Sequence, residues 1–270
     1  MTKEIMSEDQ SPLDFFAGGV PAFAIFSMHL DSISELLHVP GVGVDGTVQE
    51  LAYIGVVSYT EAFFKDQFAA IMNVFPEKAA LLRESGRDVA VDLTDLLGLE
   101  APLHNKFGFL LSERFNFGSP KAVNALYRDL LLLTPFSKEK ILLFDKVLAT
   151  RNLLVHHGGI LTTQFNRAVP APDQERTYFD SVQITKKQIG EAALLALDVI
   201  KGTVNASVSK LLKELSGVPY TDVRRKAVEY MKFEVDDDIK LSSSLTLLVK
   251  GESPYEYEGS VGVLDEDIPF

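Results

Sequence analysis

The chain has 270 residues, of which 46% are hydrophobic and 24% charged, and its net charge is −12. That composition is ordinary for a globular protein and ample for a core, while the acidity argues against broad, nonspecific nucleic-acid binding. The absence of Cys excludes disulfides, thiolate metal sites and cysteine nucleophiles.

The polar, acidic start from Met1 to Leu13 does not read as a signal peptide. No run of about 18 uninterrupted apolar residues predicts a membrane span. The expected location is therefore the cytoplasm. Residues 1–20 read as a loose lead-in. Apolar Phe23, Phe26, Leu30, Ile33 and Leu37 recur at helical spacing and predict a helix over 22–39. Pro40 to Gly46 is a break. Residues 47–75 carry a long helical pattern that is apolar on both sides, as a central helix covered by neighbours would be. Pro76 ends it.

One or two short helices are expected over 77–100. Two more are expected over 104–116 and 120–133, the second with Ser119 as N-cap and Pro120 in first position. Ser137 starts a long helix that runs to His157 and stops at Gly158-Gly159. Ile160 to Thr163 and Tyr178 to Ile184 have strand-like content around the Pro-rich segment Val169 to Asp173, which predicts a small hairpin. Thr185 caps a helix over 186–215, and another follows Pro219 over 220–232. From 233 onward strand-like runs alternate with acidic clusters, as in an edge element or a partly disordered tail. The class is mainly α, an antiparallel helical bundle with a small β-hairpin insertion after the 137–157 helix and a mixed acidic C-terminal segment. The expected division is an N-terminal extension over 1–45, a bundle over 46–217 and an acidic extension over 218–270.

Charge is uneven. Residues 101–157 hold eight Lys or Arg and four acids, whereas residues 229–270 hold eleven acids and three Lys. The basic excess coincides with the most chemically suggestive stretch, Arg151-Asn152-Leu153-Leu154-Val155-His156-His157. It places a guanidinium, a carboxamide and two imidazoles at the end of one helix. Taking Ile141, Phe144 and Leu148 as the packed stripe, Asn152 lies about 20° and His156 about 60° from Ile141, so both lean toward the seam. Arg151 sits about 80° to the other side and His157 about 160° away, which makes His156 the better candidate. Asn152 and His156 are neighbours one turn apart. Arg offers two parallel donors to phosphate, and the helix C-terminus suits a cation. The plainer alternative is that Asn152 and His156 are satisfied polar groups in a helix contact, with Arg151 and His157 merely suiting a helix end.

This stretch, ending a long helix and followed by Gly-Gly, a predicted hairpin and another long helix, resembles the HEPN family, whose signature is an Arg, usually a polar residue, and a His four to six positions on. Leu51 to Phe75, with Tyr59, Glu61 and Phe63-Phe64, looks like that family's early helices, and the resemblance covers roughly 45–215. It implies a helical bundle that dimerises through two facing motif helices. Many members are metal-independent endoribonucleases acting as toxins or antiviral effectors, in toxin–antitoxin or phage-defence settings; others are inactive partners or nucleotide-binding modules. The resemblance implies attack of a ribose 2′-hydroxyl on the adjacent phosphate, giving a cyclic phosphate. His156 would be base or acid, Arg151 would stabilise phosphoryl charge, and Asn152 would orient either. His157 and Glu61 are secondary candidates; Glu61 also fits an i,i+4 pair with Lys65. Arg114, Arg128, Lys146 and Arg167 are the cations expected to touch RNA. Partners would be RNA, a second copy and an antitoxin or regulatory protein, with no membrane, metal or cofactor. The rival expectation is a non-catalytic dimerisation, nucleotide-binding or protein-binding module. The acidity and the lack of a base-stacking platform depart from an RNA enzyme's usual pattern.

Other signals are weaker. Gly41-x-Gly43-x-x-Gly46 lacks the preceding strand that a dinucleotide site needs, so it reads as a loop. Glu35-x-x-His38 is half of a di-iron pattern with no second copy. His29 and His104 are lone histidines. Asp236-Asp237-Asp238 and Asp265-Glu266-Asp267 read as solvated acids.

Overall fold

The computed structural model describes residues 11–39, 46–92, 94, 107–170, 180–216, 222–232 and 235–252, with side chains described from 240 in the last segment. Its helices are α1 (Ala22–His38), α2 (Thr47–Val74), α3 (Ala79–Glu84), α4 (Phe107–Ser112), α5 (Pro120–Leu131), α6 (Lys138–His157), α7 (Thr163–Ala168), α8 (Lys186–Leu215), α9 (Asp222–Tyr230) and α10 (Val235–Lys250). The mainly α class expected from the sequence is what is observed. The Gly41 loop, His104 and the acids at 265–267 lie outside the described residues.

Helix α2 is apolar over most of its circumference, and that dictates its position. Phe63, Phe64, Phe68, Ile71 and Met72 are all buried, and α1, α4, α6 and α8 all pack on it. Such a helix is stable only when neighbours cover it all round. An aromatic chain ties it to α5 and α6. Tyr127 donates its hydroxyl to the Phe64 carbonyl at 3.2 Å, and the Phe136 ring stands 5.5 Å from Phe64 and 5.3 Å from Phe144. Tilted and edge-on pairs at this separation are favourable beyond their buried area. They fix the first half of α6 against the centre of the protein.

Helix ends follow the capping residues. Ser119 accepts from Ala122 N, Ser137 from Lys140 N and Thr185 from Gln188 N, at 3.2–3.3 Å. Each satisfies an orphan donor of the first turn. At the far end of α6, Gly158 and Gly159 take φ of 56° and 78°, and the Gly159 N–H bonds the Leu153 carbonyl. That left-handed reversal is what glycine permits.

The hairpin expected after α6 is absent among the described residues. One isolated antiparallel bridge joins Ile160 to Ser181, and Thr163–Ala168 is helical. The reason is local: Thr162 accepts from Phe165 N at 3.1 Å, an N-cap that competes successfully with strand pairing. The strand-like reading of the tail also fails over 235–250, which is helix α10. It packs on α8 and α1, and Leu241, Leu245 and Leu248 enter the same core that begins at Phe15. Helix α8 alone among the described residues has the length and hydropathy of a membrane span, but 56% of that window is buried inside the protein. Ile189, Ala193, Ile200 and Leu211 on it are core residues.

Tyr53 of α2 sits against α6 beside Thr150. Burial pushes its hydroxyl up from the usual 10.0 to about 12; the Thr150 hydrogen bond lowers it and the Glu191 carboxylate raises it. Burial also raises Tyr127. Between about pH 10 and 12 the unfolded chain has lost a phenolic proton that the folded chain keeps. The unfolded state then binds fewer protons, so stability falls as pH rises through that window. The loss for Tyr53 is on the order of 2–3 kcal/mol across the window. Urea midpoints should hold below pH 10 and drop above it, and Tyr53→Phe should flatten the drop. A midpoint indifferent to pH there would contradict the burial.

Candidate functional site

Helix α6 has two packed sides. On one, Phe144 and Leu154 enter the main core against α2. On the other, Leu153 forms a small separate apolar cluster with Leu161 and Phe165, the latter from α7. The polar residues lie relative to these two sides. Measured from Phe144, Arg151 is about 20° round the helix, Asn152 about 80° and His156 about 120°. Arg151 is therefore on the α2 side, and Asn152 and His156 fall between the two packed sides.

The consequence corrects the expectation that Asn152 and His156 lean into the seam. Both are exposed, as is His157. All three line an open groove of about 420 Å³ between α6 and α7, whose other walls include Asp145, Leu148, Gln164 and Phe165. His157, expected nearly opposite the site, shares the groove with His156 because α7 folds back beneath the end of α6. Sequence spacing measured from a single seam missed this second packing face. The signal for it was Thr162 with Phe165, an N-cap and a large apolar residue on a short helix.

Arg151 is held differently. Its Nη2 lies 3.8 Å from Glu61 Oε2 on α2, and its Nη1 donates to Asn152 Oδ1 at 3.1 Å. Its Nε is buried and has no hydrogen-bond partner. Glu61 thus meets Arg151, and the i,i+4 pair with Lys65 does not form. At this length and exposure the Arg151–Glu61 pair contributes about 0–1 kcal/mol. It positions the guanidinium more than it stabilises the fold. Asn152 links the two halves, bonding Arg151 while lining the groove with the imidazoles.

The expected RNA-contacting cations divide into two groups. Lys146 is exposed, seven residues before Leu153 and so on the same side of α6. Arg167 is exposed in the last turn of α7. These two flank the groove's elements. Arg114 is paired with Asp88 at 2.9 Å and bonds the Ala90 carbonyl. Arg128 lies 3.7 Å from Asp129, which Arg87 holds at 2.6 Å. Arg114 and Arg128 belong to a separate surface around α3 and α5. Asp145, not singled out from sequence, stands two turns below Asn152 and puts a carboxylate on the groove.

His38, half of the di-iron pattern, is buried and its Nδ1 lies 2.7 Å from the Ser34 carbonyl, while Glu35 is exposed. His29 stacks on Tyr59 with ring centroids 3.9 Å apart. Among the described residues, no group of three or more His, Asp or Glu is placed to hold a metal ion. No known protein family, curated protein or solved structure matches this chain.

Proposed function

We propose that the groove between α6 and α7 binds RNA and cleaves it by attack of a 2′-hydroxyl on the adjacent phosphate, as in a HEPN-type, metal-independent endoribonuclease. The observation that carries this reading is the exposure of His156 and Asn152 side by side in an open groove, one residue from an oriented guanidinium. The groove size fits a nucleotide-scale ligand. His156 takes or returns a proton. Asn152 orients the phosphate or the imidazole. On binding, Arg151 leaves Glu61 and swings past Asn152 to meet the negative charge that builds on the phosphoryl oxygens. Lys146 and Arg167 supply nearby cations for the flanking strand, which keeps the positive charge local on an acidic protein. A toxin or phage-defence role, and a homodimer with an antitoxin or regulatory partner, belong to the same proposal through the family resemblance.

The test is direct. Purified protein in excess chelator should cut single-stranded RNA and leave 2′,3′-cyclic phosphate and 5′-hydroxyl ends. A 2′-deoxy substitution at the cleaved nucleotide should block that cut. Intact RNA after long incubation, or cleavage of the deoxy substrate, defeats the reading.

One observation favours a second reading, a non-catalytic binding module. Arg151 is engaged by Glu61 and Asn152 and is not among the groove's lining residues. In that case Arg151→Ala changes partner or nucleotide affinity, and no RNA is cut by either form.

A further inference from the structure

The two terminal nitrogens of Arg151 have different partners. Nη1 donates at 3.1 Å to Oδ1 of Asn152, a residue of the groove wall. Nη2 lies 3.8 Å from Glu61 Oε2, on a helix that contributes nothing to that wall. We infer that Glu61 is a built-in competitor for phosphate. Its carboxylate holds the guanidinium away from the groove in the free protein, and RNA binds by exchanging one anion for another at Arg151. This inference rests on the RNA-binding reading above and deepens it, by naming the residue that sets the affinity of the site.

The chemistry of the guanidinium carries the argument. Its planar fork of N–H donors fits carboxylate and phosphate oxygens alike, so the two anions compete for the same group. Nε is buried without a hydrogen-bond partner and adds no donor toward the groove. Helical side chains lean toward the helix N-terminus, so Arg151 lies across the turn that carries Leu148. That residue is half-buried and lines the groove. Rotation about the outer bonds of the arginine stem, with Nη1 kept near Asn152, carries Nη2 from α2 across Leu148 to the groove.

The strength of the contact suits an exchange. The pair is long, and the side chains of Arg151 and Glu61 are 25% and 42% exposed, so water screens it and it is weak. A weak carboxylate contact yields to a phosphodiester that Lys146 and Arg167 also attract, yet it remains large enough to register in affinity. The effect is reciprocal. The factor by which Glu61 weakens phosphate binding is the factor by which bound phosphate weakens the contact with Glu61.

Two measurements on the full chain test this. The first is affinity for a fluorescent 2′-deoxy oligouridylate, which has no 2′-hydroxyl and so is not cut. Glu61→Gln and Glu61→Ala should each tighten binding about two- to fivefold, the size that an exposed ion pair supplies. In an Arg151→Met background, which keeps the apolar stem, the same changes should gain nothing. The second is the rate at which phenylglyoxal labels Arg151, followed by the mass of its peptide with Arg167 as the internal standard. Arg151 should label faster in both Glu61 variants while Arg167 does not change. Weaker binding by the Glu61 variants would make Glu61 a support that aims Arg151 at phosphate, and it overturns the inference. A gain that persists in Arg151→Met is a general loss of negative charge and overturns it too, as does an unchanged labelling rate. Should the double variants not fold, labelling of the single variants decides. If no form binds the oligonucleotide but Arg151 labels faster without Glu61, the restraint stands and the RNA reading is what fails.

Discussion

His156→Ala is expected to lower the rate of RNA cleavage by a factor of about 10² to 10⁴, the usual contribution of a positioned acid or base, and to leave the melting curve where it was. The two halves of this expectation come from different observations. His156 is exposed, and among the described residues no hydrogen bond or ion pair holds it. Truncating a surface side chain that makes no fixed contact changes stability by less than about 0.5 kcal/mol. Its loss therefore separates chemistry from folding, which Arg151→Ala does not. Arg151 has a partly buried stem, an ion pair to Glu61 and a bond to Asn152, so its removal loosens α2 from α6 as well as the site. Wild-type cleavage by the His156 variant would dismiss the imidazole from the chemistry. A lowered melting temperature would show that the side chain is doing structural work instead.

Helix positions were legible in the sequence because their signals are local. Ser119 before Pro120, Ser137 before Lys138, Thr185 before Lys186 and the Gly158-Gly159 pair each act within one turn, and each lies at a helix boundary in the fold. The central place of α2 was also legible, since apolar residues dominate both of its sides. What escaped were features set by contacts across the chain. Thr163–Ala168 has β-branched and apolar residues before it that read as a strand, and only the cap at Thr162 and the burial of Phe165 against Leu153 decide for helix. That misreading carried into the site. A hairpin after α6 would leave that helix one packed seam, with His156 leaning inward and His157 pointing away. With α7 in place, α6 has two packed sides and both imidazoles open on the groove between α6 and α7. The Arg151–Glu61 pairing was likewise out of reach, because it joins residues ninety positions apart.

The largest structural penalty is expected at Gly108. In α4 this glycine lies directly on the backbone of α2. A Cβ there would overlap the Ala69 carbonyl oxygen and come within 2.8 Å of both the Ala69 carbonyl carbon and Asn73 Oδ1. Backbone cannot rotate aside as a side-chain tip can, so α4 must move away. Moving it breaks the bond from Gly108 N–H to Asn73 Oδ1, now 2.6 Å. Asn73 is buried, and its Nδ2 donates to the Phe15 carbonyl at 3.0 Å. One methyl group therefore disturbs a link between α2, α4 and the N-terminal turn. Overpacking and one orphaned buried polar pair together cost on the order of 3–5 kcal/mol. For a chain of this size that lowers Tm by roughly 5–10 °C. Gly202 of α8 is the control. A Cβ there meets nothing within 4 Å, so Gly202→Ala should gain about 0.5–1 kcal/mol from helix propensity alone. The same substitution in two helices should thus move the melting temperature in opposite directions. If Gly108→Ala melts with the wild type, α4 does not rest on α2 as closely as described, and the packing behind the first half of the fold must be redrawn.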